Sequence, residues 1–221
     1  MTSLSKKLWQ PASRLNLFSL IQISSATTVL AGVAVIAILA IASPCLTSLL
    51  EFDRAALGRG QWWRLLTGHL THWNFDHLFW DLATCLGLAT VCLKRSIRNT
   101  LYCLLGSALA ISLSIWFWQP EIILYRGLSG IDSALFTLLS IGLLKDAYRQ
   151  RDWLFFYAAL LGLVGFFVKT GYEIGTGQTL FVDSTAASFV PLASAHAVGG
   201  LMGGLVAASQ GHTDKITPVA T

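Results

Sequence analysis

Long apolar blocks separated by short polar turns dominate this chain, and their lengths predict its elements before any single residue is considered. The blocks run over residues 23–43, 75–93, 100–118, 129–144, 153–168 and 190–209. A helix needs about 20 residues to cross a bilayer, so the pattern predicts six transmembrane helices. Lys94, Arg95 and Arg98 close the second block, Gln119 and Pro120 the third, and Lys145, Arg149 and Arg151 the fourth. Pro44 ends the first, because the residue before a proline is pushed out of helical geometry. Two connections are long. Residues 50–73 contain Trp62, Trp63 and Trp73, and tryptophan favours the membrane–water boundary, so this loop is expected to lie half-immersed. Residues 170–188 are rich in glycine and threonine and are expected to form a long connection that, together with the fifth helix, is a candidate for a moving gate.

Composition agrees. Of 221 residues, 54% are hydrophobic and 12% charged, against roughly 25% charged in soluble domains. The predicted organisation is an all-α polytopic protein: residues 1–22 a cytoplasmic amino-terminal segment, 23–209 one six-helix membrane domain, and 210–221 a cytoplasmic tail. Fifteen Lys and Arg residues set the orientation. Lys6, Lys7, Arg14, Lys94, Arg95, Arg98, Lys145, Arg149, Arg151 and Lys215 fall on the side of both termini, which the positive-inside rule makes cytoplasmic. The net charge of +4 follows from this topology and forms no continuous basic face, so nucleic acid is not an expected partner. Cys45, Cys85, Cys92 and Cys103 make no Cys-x-x-Cys pair, and buried cysteine usually behaves as a small hydrophobe.

Against this background the ionisable and hydroxyl residues inside the blocks stand out, since such groups are costly in hydrocarbon unless satisfied. His77 and Asp81 are four residues apart on one face of the second helix. Ser129 opens the fourth within Gly127-Leu128-Ser129-Gly130, Asp132 follows one turn later, and His196 lies in the sixth. By itself Ser129 reads as a helix cap. The sixth helix, however, spaces Ala195, Gly199 and Gly203, and also Gly200 and Gly204, at intervals that let helices touch backbone to backbone. Packed on the start of the fourth helix, that stripe would bring His196 to Ser129, pairing a nucleophile with a base.

Four signposts in order, Trp63-Arg64, His72-x4-His77-x3-Asp81, Gly127-x-Ser129-Gly130 and Ala195-His196-x2-Gly199, resemble the rhomboid intramembrane serine proteases. The resemblance covers nearly all of the chain after the first helix. It implies a six-helix rhomboid-like bundle in which Ser129 is the nucleophile and His196 the general base. The Ser129 N–H and the His77 side chain would be oxyanion donors, with Asp81, Gly127 and Gly130 around them. Trp63 and Arg64 would anchor the first loop, His72 would support that loop, and Gly199 would be the close-packing glycine between the fourth and sixth helices. Two positions depart from the family. Asp81 stands where an asparagine is usual, so it is either kept protonated by burial or orients His77. Ser133 stands where an aromatic ring often backs the base, so Asp132 either orients His196 in a triad-like arrangement or faces a neighbouring helix.

The implied activity is endopeptidase cleavage of a single-span membrane protein, with the bilayer and that substrate as partners and no cofactor. Residues 60–68 and 125–130 further resemble the rhombosortase branch, which implies processing of carboxy-terminal sorting segments at a bacterial cytoplasmic membrane; the Lys and Arg distribution has the site opening outward. Three rivals stay open. One is a proteolytically inactive rhomboid-like binding factor. Another is a proton-coupled carrier using His77, Asp81 and Asp132. The third is a metal site on His69, His72, His77 and Asp81.

Overall fold

The computed structural model describes residues 17–178, 180 and 192–209, and side chains from residue 27 onward. It is helical apart from one short strand pair. The elements are α1 (Leu17–Ala42), α2 (Pro44–Leu50), β1 (Phe52–Asp53), α3 (Arg54–Gly58), α4 (Arg64–Thr67), α5 (Phe75–Arg95), α6 (Ile97–Trp118), β2 (Leu124–Tyr125), α7 (Ser129–Gln150), α8 (Trp153–Thr176) and α9 (Ala193–Ser209). Three of them, α5, α6 and α8, are long and apolar enough to cross a membrane.

Local chemistry explains most boundaries. Ser43 accepts from the Leu46 N–H at 3.3 Å, and Pro44 then starts α2, where its missing N–H costs nothing. Proline thus ends α1 as expected and also begins a further helix. Asn74, Ser96 and Asp152 cap α5, α6 and α8 through side-chain oxygens, each satisfying an N–H that the helix itself cannot. Lys94 and Arg95 fall in the last turn of α5, where cations meet the negative end of the helix dipole.

Several boundaries differ from the sequence expectation. Helix α1 begins at Leu17, inside the segment assigned to the amino-terminal region. Helix α7 continues past Lys145 to Gln150, and α8 past Val168 to Thr176. The 170–188 connection is therefore helical at its start, since Lys169 and Glu173 pair across one turn of α8 at 2.9 Å and Gly177 ends the helix at φ +67°. The remainder of that connection from 181, the start of the sixth block at Val190, and the 210–221 tail lie outside the described residues. The loop at 50–73 is mostly ordered structure rather than a plain connection, because it carries β1, α3 and α4, with α2 leading into it.

Buried hydroxyls and outward-facing large apolar side chains occur together, as suits a membrane protein. Thr100, Ser107, Ser112 and Thr137 are fully or almost fully buried, whereas Leu154 is 86% and Leu161 73% exposed on α8. Of these hydroxyls, Ser112 donates to the Leu65 carbonyl of α4 at 2.6 Å, Thr137 Oγ1 has no hydrogen-bond partner among the described residues, and others bond within their own helix. Ser107 donates to the Cys103 carbonyl at 2.6 Å and Ser114 to that of Ile111 at 2.7 Å, a bond available to serine inside any helix. Helix α7 sits centrally, packing against α5, α6, α8 and α9.

Arg54 secures the exposed end of α6. Its guanidinium donates to the carbonyls of Ile115, Trp116, Gln119 and Ile122 at 2.7–3.0 Å and lies over the Trp116 ring. Helix ends leave carbonyls without partners, and one planar fork of donors meets several of them. Beside it, β1 pairs antiparallel with β2, Phe52 opposite Tyr125 and Asp53 opposite Leu124. The first loop is thereby tied to the segment that leads into Ser129.

Candidate active site

Ser129 and His196 meet. The Nε2 of His196 lies 3.1 Å from the Oγ of Ser129, although the two are 67 positions apart in the chain. Two glycines permit this. A Cβ at Gly199 would overlap the Gly130 carbonyl, and one at Gly130 would come within 3.0 Å of the Ala195 carbonyl oxygen. Helices α7 and α9 therefore touch through bare backbone at the level of the pair, as the glycine spacing predicted. His196 is buried and Ser129 half-buried.

Helix α7 has no cap from its own flanking residue Leu128. Its first N–H groups are met instead by Asp81, reaching across from α5. Asp81 Oδ2 accepts from the Leu128 N–H at 2.8 Å and from the Ser129 N–H at 3.2 Å. The same oxygen lies 3.2 Å from His77 Nε2 and 3.2 Å from His72 Nε2. For His72 this is proximity without hydrogen-bond alignment. Four nitrogens thus converge on one carboxylate oxygen. Of the two roles open to Asp81, the acceptor role that orients His77 fits, since its neighbours at that oxygen are nitrogens able to donate.

Gly127 makes the approach possible. Its φ is +124°, and a Cβ there would sit 2.9 Å from His77 Cε1 and 3.3 Å from Asp81 Oδ2. Such a backbone favours glycine in any setting, and here the space is also filled. The Gly127 carbonyl points the other way, toward the Tyr125 hydroxyl and His69 Nδ1, each at 3.3 Å. Carbonyl and N–H point in opposite directions across a planar trans peptide. Holding this carbonyl therefore aims the Leu128 N–H at Asp81.

His69 belongs to this support and not with His72 and His77. Its Nε2 lies 3.0 Å from the Ala108 carbonyl and 3.1 Å from Ser112 Oγ, and burial pushes its pKa down from the usual 6.5. Sequence reasoning placed His69 only in a rival metal set and overlooked Tyr125. Nothing in their spacing marks either as a support for a carbonyl 58 residues away. His72, expected to support the loop, is buried and stacks edge-on to His77 with ring centroids 5.0 Å apart. It belongs to the polar cluster.

Trp63 and Arg64 tie the first loop back to the chain that precedes them. Arg64 donates to the Glu51 carbonyl at 2.7 Å and to Gln61 at 2.8 Å, and Trp63 donates to the Leu49 carbonyl at 3.2 Å. Glu51 in turn pairs with Arg126 at 2.6 Å, whose guanidinium lies over the Trp73 ring. That chain of contacts ends one residue before Gly127.

Asp132 does not orient the base. Among the described residues no hydrogen bond joins it to His196. Its Oδ1 is buried without a partner, and its neighbour is the Cys85 thiol of α5. The side chain thus meets α5. Ser133 donates to the Ser129 carbonyl at 2.9 Å, so no ring backs His196 from that position. Compared with protein-family models and with curated proteins, the sequence matches none.

Proposed function

We propose that this protein is an intramembrane serine endopeptidase of the rhomboid type, a six-helix bundle using a Ser129–His196 dyad. The observation that carries the reading is the 3.1 Å separation of His196 Nε2 and Ser129 Oγ inside a membrane-type helical protein. A serine hydroxyl gains nucleophilicity when a neighbouring imidazole takes its proton. Ser129 Oγ attacks the scissile carbonyl carbon and its proton passes to His196. The carbonyl π electrons move onto oxygen, and the tetrahedral adduct collapses by breaking the C–N bond, the amine leaving with the proton from His196. Water then attacks the acyl-serine by the same route in reverse.

The substrate is a single-span membrane protein whose helix unwinds near the cut, because a hydrogen-bonded helix hides its carbonyls. Both termini face the cytoplasm and the site opens outward. The likeness of residues 60–68 and 125–130 to rhombosortases extends the proposal to carboxy-terminal sorting segments. One observation favours a second reading, a proteolytically inactive membrane-protein binder: the donors beside Ser129 are already occupied by Asp81. A serine-directed phosphonate probe separates the two. The peptidase reading expects covalent labelling of the folded protein, abolished by Ser129→Ala and by His196→Ala. A folded wild-type protein that takes no label would support the binder.

A further inference from the structure

The nitrogens around Asp81 Oδ2 form an anion-binding nest beside the nucleophile, and the protein fills that nest with its own carboxylate. A carbonyl attacked by Ser129 Oγ places its oxygen within reach of the Ser129 N–H, which has one hydrogen to give. That hydrogen is directed at Asp81 Oδ2 from 3.2 Å, while His77 Nε2 lies 3.2 Å from the same atom. Substrate oxygen and Asp81 oxygen therefore compete for the same donors, and both carry negative charge once the tetrahedral adduct forms. Like charges at such separations repel strongly where water is excluded.

We infer that Asp81 is an internal competitor for the oxyanion: its carboxylate holds the donors in the resting enzyme and must leave them for hydrolysis to proceed. This rests on the peptidase reading above. The residues around the nest define what moves. Gly127 closes one wall and could not do so with a side chain. Leu128 and Ser129 supply two N–H groups from the start of α7, and His72 and His77 supply two rings. Asp132 from α7 and Tyr125 from β2 lie on the Asp81 side, and His196 approaches from α9. The carboxylate has a second role that competition does not abolish, since it caps α7. Asparagine serves that role about as well as aspartate, so exchanging one for the other separates the two functions.

In Asp81→Asn the charge is removed while shape and capping are kept. The expected result is phosphonate labelling and peptide hydrolysis at least about tenfold faster than wild type, a modest share of the 10²–10³-fold that one oxyanion donor is worth. A peptide boronate, which mimics the anionic adduct, should bind tighter by a similar factor while KM for an uncharged peptide stays constant. Equal or slower turnover in Asp81→Asn would overturn the inference and leave Asp81 as a cap or an orienter of His77. Asp81→Ala provides the second arm, because it empties the nest for a small carboxylate. Added formate should raise the melting temperature of that variant, leave wild type unmoved, and slow labelling of the variant. Formate without effect on either measurement would also overturn the inference. Formate stabilisation in a protein that no phosphonate labels in any variant would refute the peptidase reading, and the competitor with it, leaving an anion nest alone.

Discussion

Gly199 of α9 lies so close to the carbonyl oxygen of Gly130 in α7 that a Cβ at position 199 would overlap that oxygen. The obstacle is backbone at the first turn of a helix, so it cannot rotate aside as a side chain would. The Ser129–His196 separation is set by this contact. A methyl group here would push the helices apart at the level of the dyad.

Gly199→Ala should accordingly cost about 1–3 kcal/mol of stability, the usual range for overpacking, and a larger share of activity. Displacements of about 1 Å can cost roughly 10²-fold in rate. Melting in detergent and phosphonate labelling of the same sample would measure both. Gly162→Ala on α8, where nothing lies within 4 Å of a Cβ, serves as the control and should change neither.

Asp132 offers a sharper contrast. Removing a carboxylate that orients a catalytic histidine costs about 10⁴-fold in kcat. Asp132 makes no bond to His196, and its Oδ1 is unpartnered. Asp132→Asn should therefore label within an order of magnitude of wild type, measured as the second-order rate of phosphonate modification.

Arg54 tests the support of the first loop. Its guanidinium meets four carbonyls, two in the last turn of α6 and two just beyond it, and a lysine ammonium cannot reproduce that planar fork. Hydrogen bonds to charged groups contribute about 1.5–3 kcal/mol each in mutational series. Arg54→Lys should lower stability by about that much, read as a loss of melting temperature, without altering the dyad itself.

His69 predicts a pH dependence of stability. Burial lowers its pKa below the ordinary 6.5, so between the folded-state value and 6.5 the unfolded chain binds a proton that the folded one does not. Stability then rises with pH across that window and is lost as pH falls below 6.5. Melting at pH 7.5 and at pH 5.5 should show a drop in wild type that is smaller in His69→Asn, which keeps a donor and an acceptor but does not titrate.

Much was already legible along the chain. Helices lie in the stretches that the apolar blocks marked, because a backbone in lipid must satisfy its own hydrogen bonds and a run of apolar residues allows little else. The glycine and alanine spacing of α9 marked the surface that meets α7, and with it the pairing of Ser129 and His196. Trp63, Arg64, His77 and Asp81 were equally visible as residues out of place in an apolar chain. Helix ends were harder to read. Lys145 sits inside α7, donating at 2.6 Å to the Ala207 carbonyl of α9, and Lys169 sits inside α8 paired to Glu173, so neither charge stopped its helix.

Where each polar atom points was decided only in three dimensions. Periodicity puts His77 and Asp81 on one face, but it does not say that one oxygen of Asp81 gathers the N–H groups of a helix 47 residues away. It likewise could not send Asp132 toward Cys85, or turn the Gly127 carbonyl toward His69 and Tyr125. Those outcomes depend on the rotation and depth at which α5, α7 and α9 settle against one another. Apolar patterning sets which segments become helices, whereas backbone contact at Gly130 and Gly199 sets their register, and register is what brings a serine within reach of a histidine.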